Sequence, residues 1–439
     1  MSDSMQFRRE IRIGGVFDVI VAGGGPAGCA AAAAAARLGA KVLLIEATGM
    51  LGGMGTAGLV PAWCPFSDKE QIIYRGIAEE VFRASATPVT LPDPARLDWV
   101  PIDAEALKRV YDDLTEQAGV EVRFGVQLAA VELRDSRHVD AVITSGKDGL
   151  LAWRAAVFID ATGDGDLAAW AGAECEKAEE SQPATHCFHL GNVDITAYLK
   201  GKSLHSNNPE SPIYEILKSG KFPLLSDAHA CQCQVAKATV GFNAGHLWKI
   251  DSSSSADVSG GLRRGRRMAA EFLRALREFV PEAFGDACLA ETAPLLGIRE
   301  GRRIVGEYRF TADDYIARRD FEDEIGRNAY YIDVHGSRRE ETGKNNPHLK
   351  FERYGKGESH GIPYRCLVPR SLDNVLASGR CISSDRAANG SLRVMPVCLV
   401  TGQAAGTAAH LIAATGTPAR ELDAARLRNV LRENGAWFR

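Results

Sequence analysis

The segment Phe17–Glu46 (FDVIVAGGGPAGCAAAAAAARLGAKVLLIE) constrains the fold of this chain more than any other. Asp18-Val19-Ile20-Val21-Ala22 is a short apolar run suited to a buried parallel strand. Gly23, Gly25 and Gly28 then make G-x-G-x-x-G. The first glycine permits a tight turn, the second lets backbone approach a pyrophosphate, and the third lets the next helix sit close to the strand. Ala27–Leu38 is nearly all alanine, so its helix has little side-chain bulk and must be buried. Its N-terminus directs N–H groups and a partial positive charge at phosphates. Lys41-Val42-Leu43-Leu44-Ile45 reads as the second strand, with Glu46 placed to accept both ribose hydroxyls. A glycine-rich turn in an ordinary α/β unit leaves Glu46 unexplained, so the segment is read as dinucleotide-binding.

A chain of 439 residues is too long for one simple core and suits two interleaved domains. With a net charge of −4 it lacks the surplus of Lys and Arg that a phosphate backbone needs, so no nucleic acid is expected as a partner. No uninterrupted apolar run reaches membrane-spanning length, and MSDSMQFRREIRIGG has no apolar stretch of signal-peptide length; neither a membrane partner nor a leader is expected. The ten cysteines include no C-x-x-C, which argues against a zinc site or a redox dithiol of the usual spacing. Cys231 and Cys233 would share one face of a strand and are read as packing. The expectation is a reduced, cytoplasmic protein without metal.

Further along, Met50-Leu51-Gly52-Gly53-Met54-Gly55-Thr56-Ala57-Gly58 places four glycines in seven residues, so backbone passes close to something flat or bulky. Ser85–Pro101 is proline-rich and reads as an irregular connection. Asp103–Ala118 has helical spacing, and Val120–Phe124, Gln127–Leu133, Asp140–Thr144 and Leu151–Ile159 read as strands. Phe158–Asp166 (FIDATGDGD) is a buried strand running into a tight turn, where Asp164 or Asp166 would cap the helix starting at Leu167. The helix Leu262–Val280 puts Arg266 on its apolar face, read as an end-of-helix residue whose stem packs while its head reaches water. Ser337–His360 is long, charged and glycine-punctuated and reads as a lid. Tyr364–Pro369 and Val375–Ile382 read as strands, and Val397–Thr415 as a helix with Pro396 in its first turn.

On GGGPAG, LGGMGT, DATGDGDLA, LGIREGRRIVGEY, IPYRCLVPRSLDN, LASGRCIS and RVMP…GQAAG, the chain resembles FAD-dependent oxidoreductases of the glutathione-reductase-like fold. Within that group it is similar to a bacterial family distantly related to fumarate-reductase flavoproteins. The resemblance implies an α/β architecture: a Rossmann-like FAD-binding domain, with a parallel sheet and a β-meander, carrying an inserted α+β substrate domain. The divisions are 15–177 and 362–439 for FAD and 178–361 for substrate. Gly23, Gly25, Pro26, Ala27, Gly28, Glu46 and Ala47 would hold the adenosine and pyrophosphate, with Val126 at the adenine. Gly53, Met54, Gly55 and Thr56 would run beside the flavin. Ala161, Thr162, Gly163 and Asp164 form the second turn. Gly379 would approach the ribityl chain or pyrophosphate, and Asp385 the ribitol. Arg393, Met395, Pro396 and Val397 would start the helix that faces the N1–C2=O edge.

Such a flavin takes hydride at N5, and substrate oxidation needs a proton acceptor beside it. His335 is the first candidate, at the end of the presumed strand Tyr330–His335 with Asp333 two residues back to orient it and make it more basic. His186, His360 and Tyr364 are further candidates. Arg299, Arg302 and Arg393 would grip an anionic substrate or the flavin O2 edge, although Arg299 and Arg302 equally suit internal ion pairs with Glu300 or Glu307. The expected partners are a small-molecule substrate and an unidentified electron acceptor or donor. A flavoprotein acting on RNA, which the cluster Arg263–Arg267 alone suggests, and a binding protein that keeps FAD as a fold cofactor are the alternatives.

Overall fold

A computed structural model describes residues 5, 7–91, 97–336 and 351–439. Its main sheet grows from β1 (Arg12–Ala22), whose neighbours are β2 (Val42–Glu46) and, later in the chain, β8 (Gly149–Asp160), both parallel to it. Between them come the two-residue pair β3 (Ala62–Trp63) and β4 (Val100–Pro101), then β5 (Glu121–Phe124), β6 (Gln127–Asp135) and β7 (His138–Gly146). The sheet runs β5-β2-β1-β8-β7-β6, with β6 and β7 antiparallel. Buried on both faces, β2 is apolar but for its terminal Glu46. β1 begins earlier than the apolar run suggests, because Arg12–Phe17 pairs with Leu151–Ala155 of β8. The adjacent Gly14 and Gly15, which carry no side-chain signal, hid that extension.

The first helix (Pro26–Arg37) is buried at every residue from Pro26 to Ala35. It packs on the long helix Met395–Thr415, and the two approach to backbone contact: a β-carbon on Gly402 would lie 2.2 Å from the Ala27 carbonyl oxygen, and one on Gly406 2.0 Å from that of Ala31. Alanine on one side and glycine on the other make this approach possible. The long helix is apolar enough to cross a bilayer by length and composition, yet 83% of its apolar window is buried inside this fold.

The middle of the chain adds β9 (Cys175–Glu176), β10 (Phe188–Gly191), β11 (Ala230–Ala236), β12 (Thr239–Ala244) and β13 (Cys288–Thr292). Here β11-β12-β10-β13 form an antiparallel sheet, covered by the helix Ser255–Phe279. A second core gathers apolar residues between Ala184 and Leu296, whereas Phe310, Tyr315, Ile332, Tyr354 and Ile362 join the core of the main sheet. β14 (Arg303–Ile304) pairs with β9, and β15 (Glu324–Asn328) with β16 (His360–Pro363). β17 (Val375–Ala377) then extends the main sheet in parallel beside the end of β8.

Four local expectations fail. Val375–Ile382 is strand only over Val375–Ala377; Gly379, at φ +80°, then turns the chain into the 3-10 segment Gly379–Cys381. Arg266 is exposed, because the buried stripe of its helix runs through Gly261, Gly265, Met268, Phe272 and Ala275, and the glycines mark the closest contact. Tyr364–Leu367 is a 3-10 turn, since Asp323 takes the backbone N–H groups of Tyr364 and Arg365 that a ladder would use. Tyr330–His335 is not a strand: the N–H of Tyr330 goes to Asn328 Oδ1 and that of His335 to Gln182 Oε1. Residues 337–350 of the stretch read as a lid, and 92–96 of the proline-rich connection, lie outside the described residues.

Candidate functional site

The three fingerprint glycines answer to three different constraints. Gly23 has φ +98°, and a β-carbon there would sit 2.5 Å from the Ala161 carbonyl oxygen. One on Gly28 would lie 1.8 Å from the Gly23 carbonyl oxygen, so this glycine allows helix to meet strand. A β-carbon on Gly25 would meet nothing within 4 Å. No protein atom demands glycine there; the space it leaves open is a cavity. Gly25 is also the N-cap of the first helix and offers no side-chain cap, so that buried helix start presents its N–H groups to the same cavity.

The cavity has a volume of about 1780 Å³, beyond the roughly 300–1,000 Å³ of ordinary small-ligand sites and large enough for a dinucleotide with a substrate beside it. Of the residues named from sequence, Gly23, Gly25, Pro26, Ala27, Glu46, Ala47, Gly53, Met54 and Val126 line it. So do Ala161, Thr162, Gly163 and Asp164 of the turn after β8, and Gly379, Arg393 and Met395 from the far end of the chain. Gly28, Gly55, Thr56, Asp385, Pro396 and Val397 are not among its lining. Thr56 donates its hydroxyl to the Leu51 carbonyl, and Asp385 caps the helix Arg386–Leu392 by accepting from Ala388 N–H. Pro396 and Val397 lie in the buried first turn of the long helix, whose N-cap Val394 also provides no side-chain cap.

Two carboxylates brace the nucleotide end. Glu46 is buried; its Oε2 accepts the Gly24 N–H and its Oε1 the Thr48 N–H, each at 2.7 Å. It therefore ties the glycine turn to β2 while each oxygen keeps a second lone pair for a ribose hydroxyl. In the second turn the helix cap is Asp160, neither Asp164 nor Asp166: its Oδ2 accepts Ala168 N–H at 2.8 Å and its Oδ1 the Thr162 hydroxyl at 2.7 Å. Asp164 instead holds Arg380 at 3.0 Å and Ser252 at 2.7 Å. Burial pushes its carboxyl up, but the Arg380 guanidinium overrides this and holds it below the usual range. Asp166 pairs with Arg302, yet burial and the neighbouring Asp164 and Asp160 raise it to about 6. Arg302 is thereby committed to this turn.

The opposite wall is built around Asp333. Its Oδ2 accepts from Tyr330 Oη at 3.0 Å and from Arg393 at 3.1 Å, and its Oδ1 lies 3.6 Å from His335 Nε2. Arg299, also buried, donates to the Pro183 carbonyl and Thr185 Oγ1 and reaches His229 Nε2 at 3.4 Å. The expectation that Asp333 makes His335 more basic is corrected: burial and then Arg299 hold it well below the ordinary histidine value, and the same burial lowers His229. His335 and Arg299 line the cavity. The other three candidates lie away from it: His186 bonds the Ala293 carbonyl against Gly265, His360 bonds the Tyr354 hydroxyl in the core, and Tyr364 donates to the Ala419 carbonyl. Sequence reasoning missed His229, His246 and Tyr330 as cavity residues; they are distant in sequence and carry no local motif.

The residues fit FAD on the structure's own terms. Two buried helix starts without side-chain caps open on one elongated cavity, one beside a glycine whose missing β-carbon faces open space. No curated protein sequence matches the chain. Among solved structures it is similar to a geranylgeranyl bacteriochlorophyll reductase-like protein from Thermoplasma acidophilum, with 12% identity and a TM-score of 0.46 over 96% of this chain and 84% of that one. It is also similar to p-nitrophenol 4-monooxygenase from Pseudomonas putida DLL-E4, with 14% identity and a TM-score of 0.46 over 95% and 86% of the two chains. The profile of the family described as FAD dependent oxidoreductase matches residues 18–431, nearly the whole chain, and the protein therefore belongs to that family: an FAD-dependent oxidoreductase of Rossmann-type α/β fold.

Proposed function

We propose that this enzyme transfers hydride between a small organic substrate and N5 of FAD, as a distant relative of the fumarate-reductase flavoproteins. The observation that carries the reading is the pair of uncapped helix starts at Gly25 and Val394, facing one cavity whose far wall carries Arg299, Asp333, His335 and Arg393. FAD held there supplies the two-electron chemistry. The chain supplies placement and charge. The first helix start and Glu46 suit the pyrophosphate and ribose. The start of the long helix suits negative charge on the reduced isoalloxazine, a dipole contribution of roughly 0.3–1 kcal/mol and up to about 2 when partly buried.

At the polar wall, Arg299 and Arg393 are donors for an oxygen of the substrate, and Asp333 fixes Arg393 and Tyr330 in position. His229 and His335, kept neutral by burial, offer nitrogen lone pairs, the chemistry needed to draw a proton from a substrate hydroxyl. The experiment is to purify the protein, record its visible spectrum with and without added FAD, and titrate it anaerobically with hydroxy acids, polyols and amines. Substrate-dependent bleaching near the flavin maximum is expected. A chain that takes up no FAD, or a bound flavin that dithionite bleaches and no organic substrate does, overturns the reading.

A further inference from the structure

At the substrate end of the cavity, His229, His246 and His335 converge from three separate segments. His229 precedes β11 and His246 follows β12, so the hairpin places them together, while His335 comes from the irregular segment after β15. One nitrogen from each ring lies within 4.8 Å of the other two. The rings of His229 and His246 stack with centroids 4.4 Å apart.

The outer nitrogens of two rings face carboxylates. His246 Nδ1 is 3.3 Å from Asp227 Oδ1, and His335 Nε2 is 3.6 Å from Asp333 Oδ1. A carboxylate draws the N–H of a neutral imidazole to its own side, leaving the lone pair on the other nitrogen. The nitrogens opposite those carboxylates, His246 Nε2 and His335 Nδ1, face each other at 3.0 Å. Two lone pairs at that separation repel unless a cation lies between them. One proton would satisfy two rings only, and on the third, His229, whose Nε2 faces Arg299 at 3.4 Å, Nδ1 is buried with no hydrogen-bond partner. Three imidazoles, two backed by carboxylates, form the arrangement by which proteins orient histidine ligands.

We propose that His229, His246 and His335 bind one divalent transition metal of the zinc class, with its remaining position open to the cavity. Imidazole ligands select such ions over magnesium or calcium. The charges around the site fix what takes the open position: Asp227 and Asp333 offset Arg299 and Arg393, so the ion's own charge calls for an anionic oxygen, such as the carboxylate or alkoxide of a hydroxy acid. The three rings then act on a substrate oxygen through the ion instead of taking its proton directly. The metal site stands independently of the flavin reading; only the identity of the substrate oxygen rests on it.

The test uses the full chain loaded with FAD, stripped with chelator and titrated calorimetrically with zinc, while flavin occupancy is read from the visible spectrum of the same sample. One zinc per chain with a Kd at or below about 1 μM is expected. H246Q and H335Q should each weaken binding at least 100-fold, and D227N by roughly 10–100-fold, while H410A on the long helix leaves it unchanged. Retained flavin colour shows that each variant is folded. Absence of stoichiometric zinc binding in the flavin-loaded chain, or binding that H246Q and H335Q leave intact, overturns the proposal. A colourless chain that still binds one zinc supports the metal site and overturns the flavin reading instead.

Discussion

Gly402 stands against Ala27 so closely that a β-carbon would lie 2.2 Å from the Ala27 carbonyl oxygen, with the Ala27 Cα and carbonyl carbon each 2.9 Å away. Only backbone lines the contact, so no side chain can swing aside. G402A must push the two longest-buried helices apart, and with them the two helix starts that share the cavity. The expected cost is roughly 2–3 kcal/mol, at the upper end of ordinary overpacking, together with loss of FAD retention on gel filtration. Urea denaturation of the wild type and variant checks the first, and visible absorbance the second.

E46Q separates charge from shape. Both carboxylate oxygens accept backbone N–H groups, from Gly24 and Thr48. A glutamine has one oxygen, so its NH₂ must face one of those donors. The variant should lose about 1–3 kcal/mol even without cofactor, and FAD affinity should fall about tenfold or more. Thermal melts of the apo chain and a flavin-fluorescence titration report the two effects.

Asp166 gives the apo chain a signed pH dependence. Its carboxyl is raised to about 6 by burial and by Asp164 and Asp160, against about 3.9 in an unfolded chain. The folded state thus holds this proton more tightly. The contribution is fully present below pH 4 and is lost as pH rises through 6. D166N should remove that slope and gain about 1 kcal/mol at pH 8, the figure being reduced because the side chain is 33% exposed. Denaturant titrations at pH 4.5 and 8 measure it. A variant that loses more stability at pH 8 than at pH 4.5 would contradict the argument.

Asp333 sits between Tyr330, Arg393 and His335 at the substrate end of the cavity. D333N should leave FAD affinity within about threefold while slowing substrate-dependent bleaching by tenfold or more, equivalent to about 1.4 kcal/mol. Stopped-flow absorbance under anaerobic conditions distinguishes the two quantities.

The nucleotide end was legible in the sequence because its constraints are local. Gly28 answers to Gly23 five residues back, Gly25 to the open cavity and Gly23 to its own turn at φ +98°, with the distant Ala161 adding to that demand. Glu46 closes the same short unit. The strands of the meander were legible from their apolar and β-branched runs, although bulges interrupt the pairing of β6 with β7. The substrate end was not. Tyr330–His335 alternates like a strand, but Asn328 and Gln182 satisfy its backbone, and side-chain acceptors leave no periodic trace. Asp160 hid as a helix cap because it sits inside a buried strand, six residues before the helix it serves. The stripe of the helix Ser255–Phe279 was misplaced because glycine carries no hydrophobic signal, although Gly261 and Gly265 make its closest contacts.

The meeting of the first helix with Gly402 also fixes when this protein can mature. The partner surface of Ala27 is translated some 375 residues after it, a delay of roughly 20–75 s at ordinary elongation rates. Through that interval the alanine-rich helix lacks its main packing partner, and the nucleotide end lacks the walls that Gly379, Arg393 and Met395 supply. Closure of the cavity around the coenzyme therefore waits for synthesis of the long helix.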